Sequence, residues 1–201
     1  MIDKKSFIVT GASASGKTTL IEKAIKKGYI HLPTHTTRLP RIGEKNGLHN
    51  IFISEAEFIL NFNNGKYLEE SLDFARLHST GIYYGTPTLW IHEFLPKRCA
   101  TPTSINIARK LSCLENIMWI HLYCNDKTRK KRLLDRGISI KEVEARMNSG
   151  DSRLEIPNEA IAYDTSKINV DTIFNEITKK RKIVKWQGYT KTKRHYDPFT
   201  R

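Results

Sequence analysis

Gly11-Ala12-Ser13-Ala14-Ser15-Gly16-Lys17-Thr18 satisfies the pattern G-x-x-x-x-G-K-[ST] at every fixed position. Its flanks carry as much weight as the motif. Phe7-Ile8-Val9-Thr10 before it is a short apolar, β-favouring run, and the stretch from Thr19 to Lys27 favours a helix that Gly28 closes. A buried strand, a tight loop and a helix N-terminus therefore follow one another. In that arrangement backbone N–H groups and the positive end of the helix dipole surround a phosphate. Lys17 is placed to reach β- and γ-phosphates and the Thr18 hydroxyl to bind Mg²⁺, while Gly11 and Gly16 permit backbone conformations that a Cβ would obstruct. A Gly/Ser-rich turn that matched by accident would lack this setting. The expectation is an ATP site built from Gly11, Ala12, Ser13, Ala14, Ser15, Gly16, Lys17, Thr18 and Thr19, with Mg²⁺ as cofactor.

At 201 residues, 39% hydrophobic and 27% charged, the chain reads as one globular domain able to bury a proper core. No apolar run approaches the ~20 residues of a membrane span. The start, Met1-Ile2-Asp3-Lys4-Lys5, enters a strand without an apolar leader, so no membrane partner and a reducing cytoplasm are expected. Cys99, Cys113 and Cys124 lie in or beside apolar segments and read as small buried hydrophobes, not as a disulfide or metal set. The net charge of +13 gathers at Lys127 to Arg132, at Lys179 to Lys182, and in the tail from Lys185 to Arg201, which carries Trp186, Tyr189, Tyr196 and Phe199. A pocket for two polyphosphates plus a solvated helix face accounts for most of this charge. A basic stretch with interleaved aromatics also fits nucleic acid, which makes the tail a candidate contact for it.

Alternating signals set the organisation. Strands are expected near 51–53, 67–69, 74–77, 99–101, 117–123 and 167–170, the apolar run Ile117-Met118-Trp119-Ile120-His121-Leu122-Tyr123 being the best central parallel strand. Helices are expected over 55–62, 89–95, 105–114, 127–135, 141–148 and 171–180. A βα-repeating chain with a strand-rich insertion at about 32–87 argues for an α/β fold, a parallel sheet flanked by helices.

The insertion decides the subclass. Thr36-Thr37-Arg38-Leu39-Pro40-Arg41-Ile42-Gly43-Glu44-Lys45-Asn46-Gly47 sets two arginines three residues apart on a segment that Pro40 holds out of a helix. Two guanidiniums there can clamp a phosphate or carboxylate bidentately. The segment resembles the T-T-R-x-P-R-x-G-E-x-x-G signature of guanylate kinases. The likeness continues through Phe52-Ile53-Ser54, Lys66-Tyr67-Leu68-Glu69, Ile82-Tyr83-Tyr84-Gly85-Thr86, the lid-like Lys131-Arg132-Leu133-Leu134-Asp135-Arg136-Gly137 with Arg146, and Ile168-Asn169-Val170-Asp171. It spans about 7 to 180.

The resemblance implies a P-loop NTPase fold with a strand-rich acceptor-binding insertion and a helical lid. It divides residues 1–186 into a core (1–31, 88–134 and 155–186), an insertion (32–87) and a lid (135–154), with a basic tail, expected to be disordered, at 187–201. It further implies an ATP-dependent nucleotide kinase acting as a monomer or homodimer. Lys17, Arg38, Arg132, Arg136 and Arg146 would carry the transferring phosphoryl, and Asn169 would join the ATP site. Arg38, Arg41 and Tyr84 would hold the phosphate of a small phosphorylated acceptor, and Thr34, Glu69 and Thr86 would face its base.

The departures bear on the substrate. Where guanylate kinases carry an aspartate pair, this chain reads Thr101-Pro102-Thr103-Ser104, and Asn50 replaces a tyrosine of the phosphate clamp. About six extra residues lie between Glu69 and Tyr83. There Leu77-His78-Ser79-Thr80-Gly81-Ile82-Tyr83-Tyr84-Gly85 resembles a segment of ribose 1,5-bisphosphate phosphokinases, a group that also shares a serine at Ser104. His78 and Ser104 are therefore candidate acceptor contacts, and guanylate kinase activity that is weak or absent is expected. A ribosyl bisphosphate acceptor, a nucleic-acid-end kinase and a non-catalytic interaction module stand as alternatives. Conserving so much positive charge in a pocket argues against the last.

Overall fold

Strand β1, Ser6–Thr10, is buried at every position, as a strand covered on both faces must be. The structure, a computed structural model, describes residues 6–41, 43–77, 81–94, 97–114, 116–148 and 156–179. The tail from 187, the candidate contact His78 and the stretch 149–155 within the expected lid lie outside the described residues.

β1 pairs in parallel with β6, Ala100–Pro102, and with β7, Ile117–Tyr123, which pairs in parallel with β8, Ile161–Asp164. The order β6-β1-β7-β8 puts the phosphate-loop strand in the middle. Alternation along β1 splits the core. Phe7 and Val9 pack with Leu20, Ile21 and Ala24 of helix α1, Lys17–Lys26, and with Ile173 and Phe174 of α8, Val170–Thr178. Ile8 packs on the other face with Trp90 of α4, Trp90–Phe94, and with Ile107, Ala108 and Leu111 of α5, Ile105–Leu111. The apolar run at 117–123 thus forms a central strand at its expected bounds because both of its faces are covered.

α1 ends as its sequence predicts. Gly28, at φ +81°, supplies the left-handed residue, and its N–H reaches the Ile25 carbonyl while that of Tyr29 reaches Ala24, at 3.0 Å each.

The insertion folds around its own sheet. β2, His35–Thr36, lies between β3, Ile51–Phe52, and β5, Ile82–Gly85, with β4, Arg76–Leu77, beyond. Phe58 of α2, Glu55–Asn63, stacks on Tyr67 and Tyr83 with centroids 4.7 and 5.1 Å away, making a small aromatic core separate from the main one. Helices α6, Asp126–Leu134, and α7, Ile140–Asn148, meet beside the phosphate loop, where Leu133 and Val143 bury Ala14.

Four expectations need correction. The last strand is Ile161–Asp164, not 167–170. There the Lys167 and Ile168 N–H groups fold back on the Asp164 carbonyl, and Asn169 caps α8 by accepting the Thr172 N–H at 2.8 Å. Ile168 and Val170 looked like an alternating strand but join the core from a turn and a helix start. The stretch 74–77 begins as a helical turn, α3, Leu72–Ala75, because Ser71 caps it at the Phe74 N–H, and only Arg76–Leu77 is extended. At 67–69 there is a single bridge, Tyr67 to Pro87, in place of a strand. Of the cysteines, Cys99 is buried, but Cys113 is exposed at the end of α5 and Cys124 half-buried.

Candidate active site

The phosphate loop leaves β1 through Gly11, at φ +138°, where a Cβ would come 2.0 Å from the Leu122 carbonyl oxygen. It enters α1 through Gly16, a left-handed N-cap with no side-chain cap, and no acid sits in the first turn. The first-turn N–H groups are thus left for an anion. Ser15 Oγ is buried without a hydrogen-bond partner, and the Thr18 and Thr19 side chains are exposed at the helix start. Such a loop fits the phosphates of ATP, and Thr18 fits a hard cation that takes its remaining ligands from phosphate and water. Among the described residues no group of three or more His, Cys, Asp or Glu could hold a metal alone. Lys17 Nζ donates to the Gly11 and Ala12 carbonyls at 2.6 and 2.8 Å, which keeps the ammonium over the loop.

Beneath the loop lies a network that the motif does not contain. Trp119 Nε1 donates to Thr10 Oγ1 at 2.8 Å, and the same hydroxyl shares a hydrogen bond with His121 Nδ1 at 2.9 Å. His121 is buried, and burial together with the charge of Lys17 lowers its pKa. The detectable signal was a histidine within an otherwise apolar central strand.

Thr165, just past β8, takes the place beside the loop that was expected for Asn169. Its Oγ1 lies 2.9 Å from the Ser15 carbonyl, and Arg132 reaches Thr165 Oγ1 and O at 2.9 and 2.8 Å and the Ala14 carbonyl at 3.2 Å. Asn169 itself is exposed and committed to its cap.

The acceptor segment is ordered by one acid. Glu44 holds Arg38 at 2.7 and 3.0 Å and accepts the Arg41 N–H at 2.8 Å. Burial alone would raise the Glu44 carboxyl, but the Arg38 and Arg41 contacts outweigh it and hold its pKa below the ordinary value. Thr36 Oγ1 donates to the Tyr83 carbonyl at 2.9 Å and accepts the Arg38 N–H at 3.2 Å, tying the clamp to β5. Arg38 also lies 5.3 Å over the Phe52 ring, and the nearby Tyr84 favours its charged form. Its Nε is buried without a partner. Arg41 has its pKa lowered by burial and then by repulsion from Arg38 and Arg146, so both guanidiniums lie within electrostatic reach of it.

Behind the clamp, both carboxylate oxygens of Glu69 accept the Thr86 N–H, at 2.8 and 3.0 Å, and burial pushes the Glu69 carboxyl up to about 7. Thr34 Oγ1 donates to Asn50 Oδ1 at 2.8 Å. Ser104 is exposed and caps α5 by accepting the Ile107 N–H at 3.3 Å. Arg146 Nη1 lies 3.5 Å from Ser13 Oγ and Nη2 2.5 Å from Glu142, while Arg136 is exposed in the turn after α6. The structure thus gathers Lys17, Arg132 and Arg146 at the loop, and Arg38, Arg41, Glu44 and Tyr84 at the clamp.

The guanylate kinase family model matches residues 3–181. A guanylate kinase of Mannheimia succiniciproducens is 31% identical over 176 residues, covering 82% of this chain and 80% of that protein. One from Helicobacter pylori is 32% identical over 70% of this chain and 68% of its own length. A Methylobacillus flagellatus guanylate kinase is 43% identical over 92 residues, which span 42% of that protein. Among solved structures, guanylate kinase from Anaplasma phagocytophilum superposes with a TM-score of 0.55 over 87% of this chain and 85% of its own, at 19% identity, a likeness of fold. No helix among the described residues is long and apolar enough to cross a membrane.

Proposed function

The chain belongs to the guanylate kinase family, and from that premise we propose that it transfers the γ-phosphoryl group of ATP to the phosphate of a nucleoside monophosphate of the GMP class, with relaxed selectivity for the base. The observation that carries this reading is the phosphate loop that opens α1 through an uncapped, left-handed Gly16, together with the Arg38 Nε donor, buried and unpartnered.

Phosphoryl transfer demands in-line positioning and neutralised charge more than covalent chemistry. The loop N–H groups and Lys17 would hold the ATP phosphates, and Arg38, Arg41 and Tyr84 the acceptor phosphate. Arg132, Arg136 and Arg146 would meet the charge that develops on the phosphoryl in flight. Thr18 would hold Mg²⁺, which when bound lowers the cost of bringing two polyphosphates together. The core would carry the loop, the insertion 32–87 the clamp, and the lid 135–154 the closing arginines.

Relaxed base selectivity follows from the acceptor wall. Its groups pair with one another, Thr34 with Asn50 and Glu69 with Thr86, and 101–104 supplies no carboxylate. A base that leaves no buried polar group newly unpaired is rejected weakly. The test is ATP consumption over all ribo- and deoxyribonucleoside monophosphates and ribose 1,5-bisphosphate. GMP is expected to be turned over with less than about a hundred-fold preference over AMP, against the ~10⁴ or more of a site that hydrogen-bonds its base fully. A ribose 1,5-bisphosphate optimum, or no turnover with any nucleotide, overturns the reading.

A further inference from the structure

Arg129 belongs to the basic run at 127–132, yet it is only 2% exposed while its neighbours Lys127, Lys130 and Lys131 face solvent. It lies one turn before Leu133 on the same face of α6, wedged where the phosphate loop meets α7. Its Nε donates to the Ser13 carbonyl at 3.0 Å and its Nη2 to the Arg146 carbonyl at 2.6 Å. The second acceptor lies in the last turn of α7, where carbonyls lack helical partners and the dipole favours a cation.

The first contact bears on the loop. In a planar trans peptide the C=O and the following N–H point opposite ways, so holding the Ser13 oxygen toward α6 turns the Ala14 N–H away from it. Ala14 has φ +65° and is the one non-glycine residue at positive φ among those described. That conformation is strained for alanine and persists only where the surroundings impose it. Arg129 grips the carbonyl before Ala14, Arg132 grips the carbonyl of Ala14 itself at 3.2 Å, and Leu133 and Val143 enclose its methyl group.

We propose that Arg129 is a positioning residue: it holds the phosphate loop in its strained, nucleotide-ready form and sets α7, and with it Arg146, in register with that loop. The proposal rests on the kinase reading above, but its central measurement, ATP affinity, does not require turnover.

Arg129→Met keeps most of the side-chain volume and removes the donors, and Arg129→Lys keeps the charge but loses the fork. Unfolding temperature, ATP Kd by calorimetry, kcat and the acceptor KM are measured for each. Arg129→Met is expected to remain folded, since a buried charge is exchanged for an apolar group. It should bind ATP at least roughly ten-fold more weakly and lose at least roughly ten-fold in kcat, with acceptor KM changed less than about three-fold, and Arg129→Lys should fall between. In an Ala14→Gly background, where positive φ is no longer strained, the same substitution should weaken ATP binding less than about three-fold. In an Arg146→Ala background it should lower kcat by less than about three-fold more. Folded Arg129→Met with ATP affinity within about two-fold of the parent overturns the proposal, as does an undiminished loss in the Ala14→Gly background or full multiplication with Arg146→Ala. Should Arg129→Met fail to fold, Arg129→Lys decides, and parental ATP affinity and kcat in that variant overturn it. An inactive parent that still binds ATP would sink the kinase reading and leave the affinity comparison standing.

Discussion

Glu44 grips Arg38 through both carboxylate oxygens, at 2.7 and 3.0 Å, and the same acid accepts the backbone N–H of Arg41 at 2.8 Å. One carboxylate therefore orients the first guanidinium and fixes the turn that carries the second. Charge-assisted contacts of this kind contribute ~1.5–3 kcal/mol each. Glu44→Gln should raise the acceptor KM roughly ten-fold with the ATP KM nearly unchanged, and Arg38→Lys should do the same because an ammonium cannot reproduce the fork. Steady-state kinetics with both substrates varied checks this, and equal effects on the two KM values would show that the clamp does not serve the acceptor.

Lys17 lies over the loop, held by the Gly11 and Ala12 carbonyls. Lys17→Ala should leave the unfolding temperature within a few degrees and lower kcat by roughly 10²–10³, the worth of one preorganised charge contact in the transition state. Turnover near the parental rate in a pure, folded variant would remove the phosphate loop from the mechanism.

The Glu69 carboxyl, with a folded pKa of about 7 against an ordinary value of 4.5, keeps its proton in the folded chain at pH values where the unfolded chain has released it. Its contribution to stability is therefore complete below about pH 4.5 and lost as pH rises through about 7. Glu69→Gln should flatten that part of the stability profile in thermal melts from pH 5 to 8. A guanine that donates to the carboxylate favours the ionised form, so GMP affinity should rise as pH passes 7, and the rise should be absent in Glu69→Gln.

Arg136 lies in the turn after α6, and Arg146 on α7. Their charges would engage after closure, so Arg136→Ala and Arg146→Ala should lower kcat roughly ten-fold or more with smaller changes in acceptor KM. Rapid-quench and steady-state measurements together check this, and effects confined to KM would place these arginines at ground-state binding.

What could be read from the chain was set by how local its cause was. The phosphate loop, the central strand 117–123 and the glycine that ends α1 follow from neighbouring residues, and the structure has them where the sequence puts them. The final strand lies elsewhere because Asn169 can begin a helix or sit in a strand, and the choice is made by the packing of Ile168 and Val170 against the main core. Two-residue strands such as His35–Thr36 exist only because partners far along the chain pair with them. At the site, the arginine clamp carried a spacing signal. Thr165 and Arg129 did not, since their roles depend on which carbonyl the fold brings alongside.

The aromatic stack of Phe58, Tyr67 and Tyr83 gives the insertion an interior of its own. Substitutions within that stack should therefore leave the separate packing around Leu20, Ile120 and Leu122 undisturbed. Such insulation makes the acceptor preference evolvable: a lineage can drift from one phosphorylated metabolite to another through changes in 32–87 while the transfer machinery is inherited intact. Of the altered residues of this chain, Asn50 and the extra stretch after Glu69 fall within the insertion, whereas 101–104 lies on β6 and at the start of α5 in the core.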